Sequence, residues 1–156
     1  MEKGKMEHQQ LSVKLGFDFF PDEHTCKGDD TSPKVNVNGL SQPFMALILD
    51  DPDAPENPFN HWVVWNIPPV EAIPRNVGKV DRPPELDGAV QGTGTGLQVG
   101  YQGPCPPRGK EHRYFIRVYG LDSALDLDPG ATREELDRAM QGHVKQYGET
   151  MARFKR

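Results

Sequence analysis

Residues 100–121 read GYQGPCPPRGKEHRYFIRVYGL. The first fifteen positions hold three Gly and three Pro, and the stretch then runs into the apolar alternation YFIRVYGL. Proline fixes φ and removes a donor, whereas glycine reaches φ values that other residues avoid. Together they hold a loop in one unusual shape. Immediately after it, Tyr114–Leu121 has the length and composition of a strand. His112 and Tyr114 are the groups that such a loop would position.

Working outward, two more runs have the same character. Residues 44–49, FMALIL, are bounded by Pro43 and by Asp50-Asp51-Pro52. Residues 61–67, HWVVWNI, are stopped by Pro68-Pro69. Both are continuous apolar runs of strand length, the pattern of strands buried on both faces. Leu11–Leu15 and Lys34–Gly39 alternate with period two and add half-buried strands, the second ending in the Asn-Gly turn signal. Residues 70–100 form a long Gly- and Pro-rich excursion, a length at which loops are functional or flexible. Thr132-Arg133-Glu134-Glu135 has the form of a capping box. Leu136, Met140, His143, Tyr147 and Met151 follow close to one helical stripe, which predicts a helix over about residues 132–146.

The chain has 156 residues, which suits one domain with its own core. That domain is expected over residues 11–156, behind a flexible tail of residues 1–10 that contains His8. Net charge is −5 with both signs scattered. No basic stripe points to nucleic acid, and no apolar run approaches membrane-spanning length. The first ten residues lack the apolar segment of a signal peptide, so the expectation is a cytoplasmic chain. Cys26 and Cys105 stand far apart and outside any CxxC spacing, which disfavours zinc. In a reducing compartment they are expected as two buried thiols rather than a disulfide. No cofactor motif occurs. The abundance of Gly (16) and Pro (15) fits a β-rich domain with structured loops.

Three islands hold the unusual residues: Asp51-Pro52-Asp53-Ala54-Pro55, His61-Trp62, and the opening loop with His112 and Tyr114. Antiparallel pairing would bring them to one end of a sheet. Carboxylates, imidazoles and a phenol would then surround a cleft suited to a small anionic head group. Imidazole and Tyr hydroxyl donate to phosphate oxygens. Amides of residues 103–105 could cradle an anion, and a carboxylate could orient an imidazole. Each element also has a plainer reading. Asp51 and Asp53 suit an Asx-organised turn; His61 suits a sheet edge; Trp62 and Trp65 suit packing; Arg113 suits a turn clamp; His143 suits a helix face.

These blocks, DPDAP, HWVVWNIP and GYQGPCPPRGKEHRY, with the looser TCKGDDTSP of residues 25–33, resemble the phosphatidylethanolamine-binding protein family, also called Raf-kinase-inhibitor-like proteins, in its compact prokaryotic branch. The resemblance implies an antiparallel β-sandwich with a flanking C-terminal helix and a small anion pocket at one end. Asp51, His61, Cys105, His112 and Tyr114 would line that pocket, supported by Asp53, Trp62, Pro106 and Pro107. It implies a cis peptide near Ala54-Pro55. The longer insert of eukaryotic relatives before His61, with its aromatic at the pocket rim, is missing here, and so is their long C-terminal helix. By the same analogy the partners would be a small phosphate-type ligand, a protein kinase or protease, and a second copy in a homodimer.

The leading expectation is a non-enzymatic binding protein for phosphate-type head groups or phosphorylated partners. Two rival readings stand beside it. One is a serine protease inhibitor or scaffold acting through its surface. The other is a hydrolase using His and Asp as acid and base, with Cys105 as its candidate nucleophile. No serine sits in a nucleophile elbow, and no spacing marks a catalytic metal.

Overall fold

The structure, a computed structural model, describes residues 9–156. Two sheets pack face to face. The larger has the order β1 (Gln9–Gln10), β9 (Val144–Lys155), β8 (Glu111–Leu121), β4 (Phe44–Asp51), β5 (Phe59–Ile67), β7 (Val90–Gln91). The smaller has the order β2 (Ser12–Lys14), β3 (Val35–Asn38), β6 (Ala72–Ile73). Every pairing is antiparallel except β1 beside β9. Most of the tail expected over residues 1–10 lies outside the described residues. Its last two, Gln9 and Gln10, belong to the sheet.

The continuous apolar runs are explained by two cores. Met45, Leu47, Leu49, Trp62 and Val64 face the small sheet, along with Tyr114, Ile116 and Val118 from β8. Ala46, Ile48, Val63 and Trp65 face the opposite way, under α1 (Arg133–Met140), where Leu136 and Met140 cover them. A strand with both faces covered cannot alternate. β8 does alternate, because α1 leaves most of its outer face uncovered.

The capping box forms as read. Thr132 Oγ1 accepts from the Glu135 amide at 3.3 Å, and Glu135 Oε1 accepts from the Thr132 amide at 2.9 Å. The helix nevertheless stops at Met140, short of the expected residue 146. Gly142 takes φ +83°, a left-handed conformation that suits glycine and ends the helix. Residues 144–155 then pair with β8 along its length, from Glu111 opposite Lys155 to Leu121 opposite Val144. His143, Tyr147 and Met151 therefore leave the predicted stripe. The open edge of β8 offers the backbone of these residues partners for its donors and acceptors.

One buried side chain ties several parts of the 70–100 excursion to the sheet. Gln91 accepts from Trp62 Nε1 at 2.8 Å and donates to the carbonyls of Gly78 and Val80 at 2.7 Å each. Two further expectations are corrected. Cys26 and Cys105 are not free thiols; they are joined in a disulfide, and both are exposed. The chain fold brings their Cα atoms to 5.4 Å across 79 residues, a proximity that spacing alone does not reveal. The cis peptide is Asn57-Pro58, not Ala54-Pro55. No helix among the described residues is long and apolar enough to cross a membrane.

Candidate functional site

β4 ends in two aspartates that point to opposite faces, as period two requires. Asp50 goes to the helix side. Its carboxylate accepts from Arg117 Nε at 2.9 Å and Arg133 Nη1 at 2.7 Å, and Arg133 also reaches Asn60 Oδ1 at 3.0 Å. Asp51 goes to the sandwich side, where its Oδ2 accepts from His112 Nδ1 at 2.7 Å; both residues are buried. Asp51 Oδ1 also accepts from the Asp53 amide at 2.8 Å, so the Asx turn and the imidazole contact coexist.

His61 arrives by a different device. Leu49 pairs with Trp62 and Asp50 pairs with Asn60, so His61 is the extra residue of a β-bulge. Trp62 lies in the inner core, whereas Asn60 bonds Arg133 on the helix side. The bulge re-aims His61 inward, its ring 5.4 Å from that of Tyr114 and edge-on to it. Asn60 and Thr95 hold the bulge by two hydrogen bonds of 2.8 and 3.0 Å. Next to it, His61 and Gln102 bond reciprocally. His61 Nδ1 donates to the Gln102 carbonyl at 2.6 Å, and the Gln102 amide donates to the His61 carbonyl at 3.0 Å.

The Gly/Pro loop closes the remaining wall. Gly103 packs so tightly that a Cβ there would lie 2.1 Å from the His24 carbonyl oxygen. Its amide donates to Asp30 Oδ1 at 2.9 Å, and the Pro104 carbonyl accepts from the Cys26 amide at 3.2 Å. The expected anion cradle of residues 103–105 is thus weakened, since the Gly103 amide is spent and Pro104 has none. The loop acts as a rigid wall pinned by the Cys26–Cys105 disulfide.

Between these elements lies a cavity of about 320 Å³, lined by Asp51, Ala54, Pro55, Glu56, Phe59, His61, Gln102, Gly103, Cys105, Pro106, Pro107, His112 and Tyr114. Seven of the nine residues read as a site from the sequence meet there. Asp53 and Trp62 do not. Asp53 takes a bidentate grip on Arg113, with Nε at 3.0 Å and Nη2 at 2.9 Å, and Arg113 lowers its pKa below the usual carboxylate value. That pair ties the DPDAP turn to β8. Trp62 is fully buried and bonds Gln91. Phe59, 4.6 Å from His61, supplies a rim aromatic that the sequence reading did not single out; the signal was its place two residues before His61. Gln102 and Glu56 were also missed, and nothing in their residue types marks them; Ala54 and Pro55, part of the first island, line the cavity as well.

Among the described residues, the buried polar atoms Tyr114 Oη and Gln102 Oε1 have no hydrogen-bond partner. Burial, and after it the charges of Asp51 and Asp53, pushes the Tyr114 hydroxyl far above its ordinary range, so it remains a donor. Burial pulls His61 below the ordinary imidazole value, against the opposing pull of the Gln102 carbonyl and Asp51. His61 is therefore neutral near neutral pH.

The phosphatidylethanolamine-binding protein family model matches residues 12–155. The chain belongs to the phosphatidylethanolamine-binding protein family. It is 45% identical over 158 residues to the UPF0098 protein PH1269 of Pyrococcus horikoshii, covering 97% of this chain and 78% of that protein. It is 39% identical to a UPF0098 protein of Aquifex aeolicus, covering 97% and 89%. Among solved structures it is similar to the phosphatidylethanolamine-binding protein homologue CT736 of Chlamydia trachomatis, with TM-score 0.82, 30% identity, and coverage of 96% and 99%. Escherichia coli YbcL, described as a member of the mammalian family, gives TM-score 0.84 at 26% identity, covering 94% and 98%. These neighbours share the phosphatidylethanolamine-binding protein fold found here, two sheets with a flanking helix.

Proposed function

We propose that this chain is a binding protein whose end pocket takes a phosphate-type head group. The carrying observation is the Tyr114 hydroxyl, buried without a partner among the residues that line the cavity. A buried donor left unmet costs free energy, so its retention is best explained by a ligand acceptor. A phosphoryl oxygen supplies one. His112, held by Asp51, and His61, held by Gln102, present preset imidazole edges around it. The same chemistry accepts a phosphorylated side chain of a partner protein, which is the route by which such a chain would act on a kinase or protease. Against a thiol-dependent hydrolase stands the disulfide, which leaves Cys105 without a thiolate.

The test is thermal unfolding of wild type and His112→Ala with inorganic phosphate, phosphoethanolamine or phosphotyrosine. A ligand at about one hundred times its Kd stabilises by about 2.7 kcal/mol. Stabilisation of wild type that is lost in the variant supports the pocket. Equal shifts in both proteins, or none with any of the three, would remove it.

A further inference from the structure

The pocket wall beyond Gly103 is held in an unusual way. Residues 104–107 read Pro-Cys-Pro-Pro, so Cys105 alone among them has a backbone N–H to donate. Such a stretch cannot join a ladder, and β8 does not begin until Glu111. Upstream the loop is well tied. The Tyr101 hydroxyl donates to the His24 carbonyl at 2.6 Å, and the Gly103 amide donates to Asp30 Oδ1 at 2.9 Å. Among the described residues, two hydrogen bonds join residues 104–107 to distant segments. The Cys26 amide donates to the Pro104 carbonyl at 3.2 Å, and Arg156 Nε donates to the Pro106 carbonyl at 2.8 Å. The Cys26–Cys105 disulfide is the remaining tie and the only covalent one.

This tie sits where a reductant can reach it and where the pocket would feel its loss. Both cysteines are exposed, and Cys26 begins a run of exposed residues, 26–29. Exposed disulfides are the labile ones in thiol exchange. Cys105, Pro106 and Pro107 line the cavity together with His61, His112 and Tyr114. Neither cysteine belongs to the two apolar cores, so breaking the bond removes no core contact. It leaves residues 105–110, of which only Pro106 is buried, without a covalent anchor. Segments with few buried apolar contacts are the ones that open locally.

We propose that the Cys26–Cys105 disulfide is a redox latch on the pocket: its reduction frees residues 104–110 and weakens head-group binding, and reoxidation restores it. The reductant is a dithiol. Its thiolate attacks one cysteine sulfur, the S–S bond breaks, and the other cysteine leaves as a thiolate that takes up a proton. The second thiol of the reductant then displaces the remaining cysteine sulfur, which is protonated in turn. Two electrons pass to the protein, two cysteine thiols form, and the reductant ends as a disulfide. Affinity falls because a loosened wall must be ordered again when the ligand binds. The proposal rests on the phosphate-pocket reading above and adds the regulation of that pocket.

The test compares oxidised protein, protein reduced with dithiothreitol, and reduced protein returned to the oxidised form. Isothermal titration with inorganic phosphate reads affinity. Hydrogen–deuterium exchange of the ligand-free protein, resolved by peptide at short labelling times, reads the wall. Reduction is expected to weaken phosphate binding at least about fivefold, and reoxidation to restore it. Exchange is expected to quicken in peptides covering residues 22–31 and 101–111, while β4 and β5 stay protected in both forms. A disulfide that resists dithiothreitol in the folded protein would overturn the latch. So would unchanged exchange at the wall, or loss of protection in β4 and β5, which would make the bond a staple of the whole domain. Phosphate affinities of the two forms within about twofold of each other would also overturn it, leaving the pocket standing. Binding in neither form would overturn the pocket reading and with it the effect on affinity, and the exchange comparison would still decide the latch itself.

Discussion

Tyr114→Phe removes one oxygen and keeps the ring, so its effect isolates the hydroxyl. The ring packs edge-on to Phe20 at 5.6 Å and to His61 at 5.4 Å, and it stacks on His112 at 6.4 Å; all three contacts survive the change. The oxygen itself is buried and unpartnered. Leaving such a group unmet costs about 1–3 kcal/mol. The variant without ligand is therefore expected to be more stable than wild type by up to that amount, or roughly 2–4 °C in Tm per kcal/mol for a domain of this size. Affinity moves the other way. A hydrogen bond to a charged acceptor contributes about 1.5–3 kcal/mol, so the variant should bind phosphate roughly 10- to 150-fold more weakly. Urea denaturation without ligand and titration calorimetry with inorganic phosphate measure the two quantities on the same preparation. A variant less stable than wild type would show that the hydroxyl has a structural partner. Unchanged affinity would show that it does not face the ligand. Either result refutes the argument that this buried donor is kept for binding.

Asp50→Ala should cost about 3–5 kcal/mol in urea denaturation, because it strands Arg117 and Arg133 against a largely buried site; a loss under about 1 kcal/mol would contradict the network. Replacing both Cys26 and Cys105 by Ser should destabilise by up to about 4.5 kcal/mol, the loop-closure value for a separation of 79 residues, and equal stability of the oxidised wild type and the variant would contradict it. His61 is depressed in the folded state relative to about 6.5 unfolded, so the unfolded chain binds more protons below that pH. Its contribution is accordingly complete above about pH 6.5 and is lost as pH falls toward the folded value. His61→Gln should flatten that part of the stability–pH profile, and an unchanged slope would count against a buried neutral ring.

The sequence carried its β architecture in plain form. FMALIL and HWVVWNI read as strands covered on both faces because burial on two sides erases alternation, and that is a local property of composition. The capping box at Thr132 and Glu135 was legible for the same reason, since its partners lie three residues apart. The loop GYQGPCPPRG announced a rigid wall through proline and glycine, whose backbone limits are intrinsic. Motif order also groups Asp51, His61, His112 and Tyr114 as one candidate site.

Tertiary structure decided what depends on distant partners. His143, Tyr147 and Met151 continue a helical stripe, and only pairing with the open edge of β8 makes Val144–Lys155 a strand. The bulge that turns His61 inward leaves no period in the sequence, because one extra residue matters only against its paired strand. Cys26 and Cys105 meet because two loops 79 residues apart share a wall. Asp53 and Trp62 look like site residues beside Asp51 and His61, but the pleat and the packing send one to Arg113 and the other into the core. Local chemistry fixes which backbone shapes a segment can take; long-range pairing fixes which way each side chain faces, and the pocket is made of those directions.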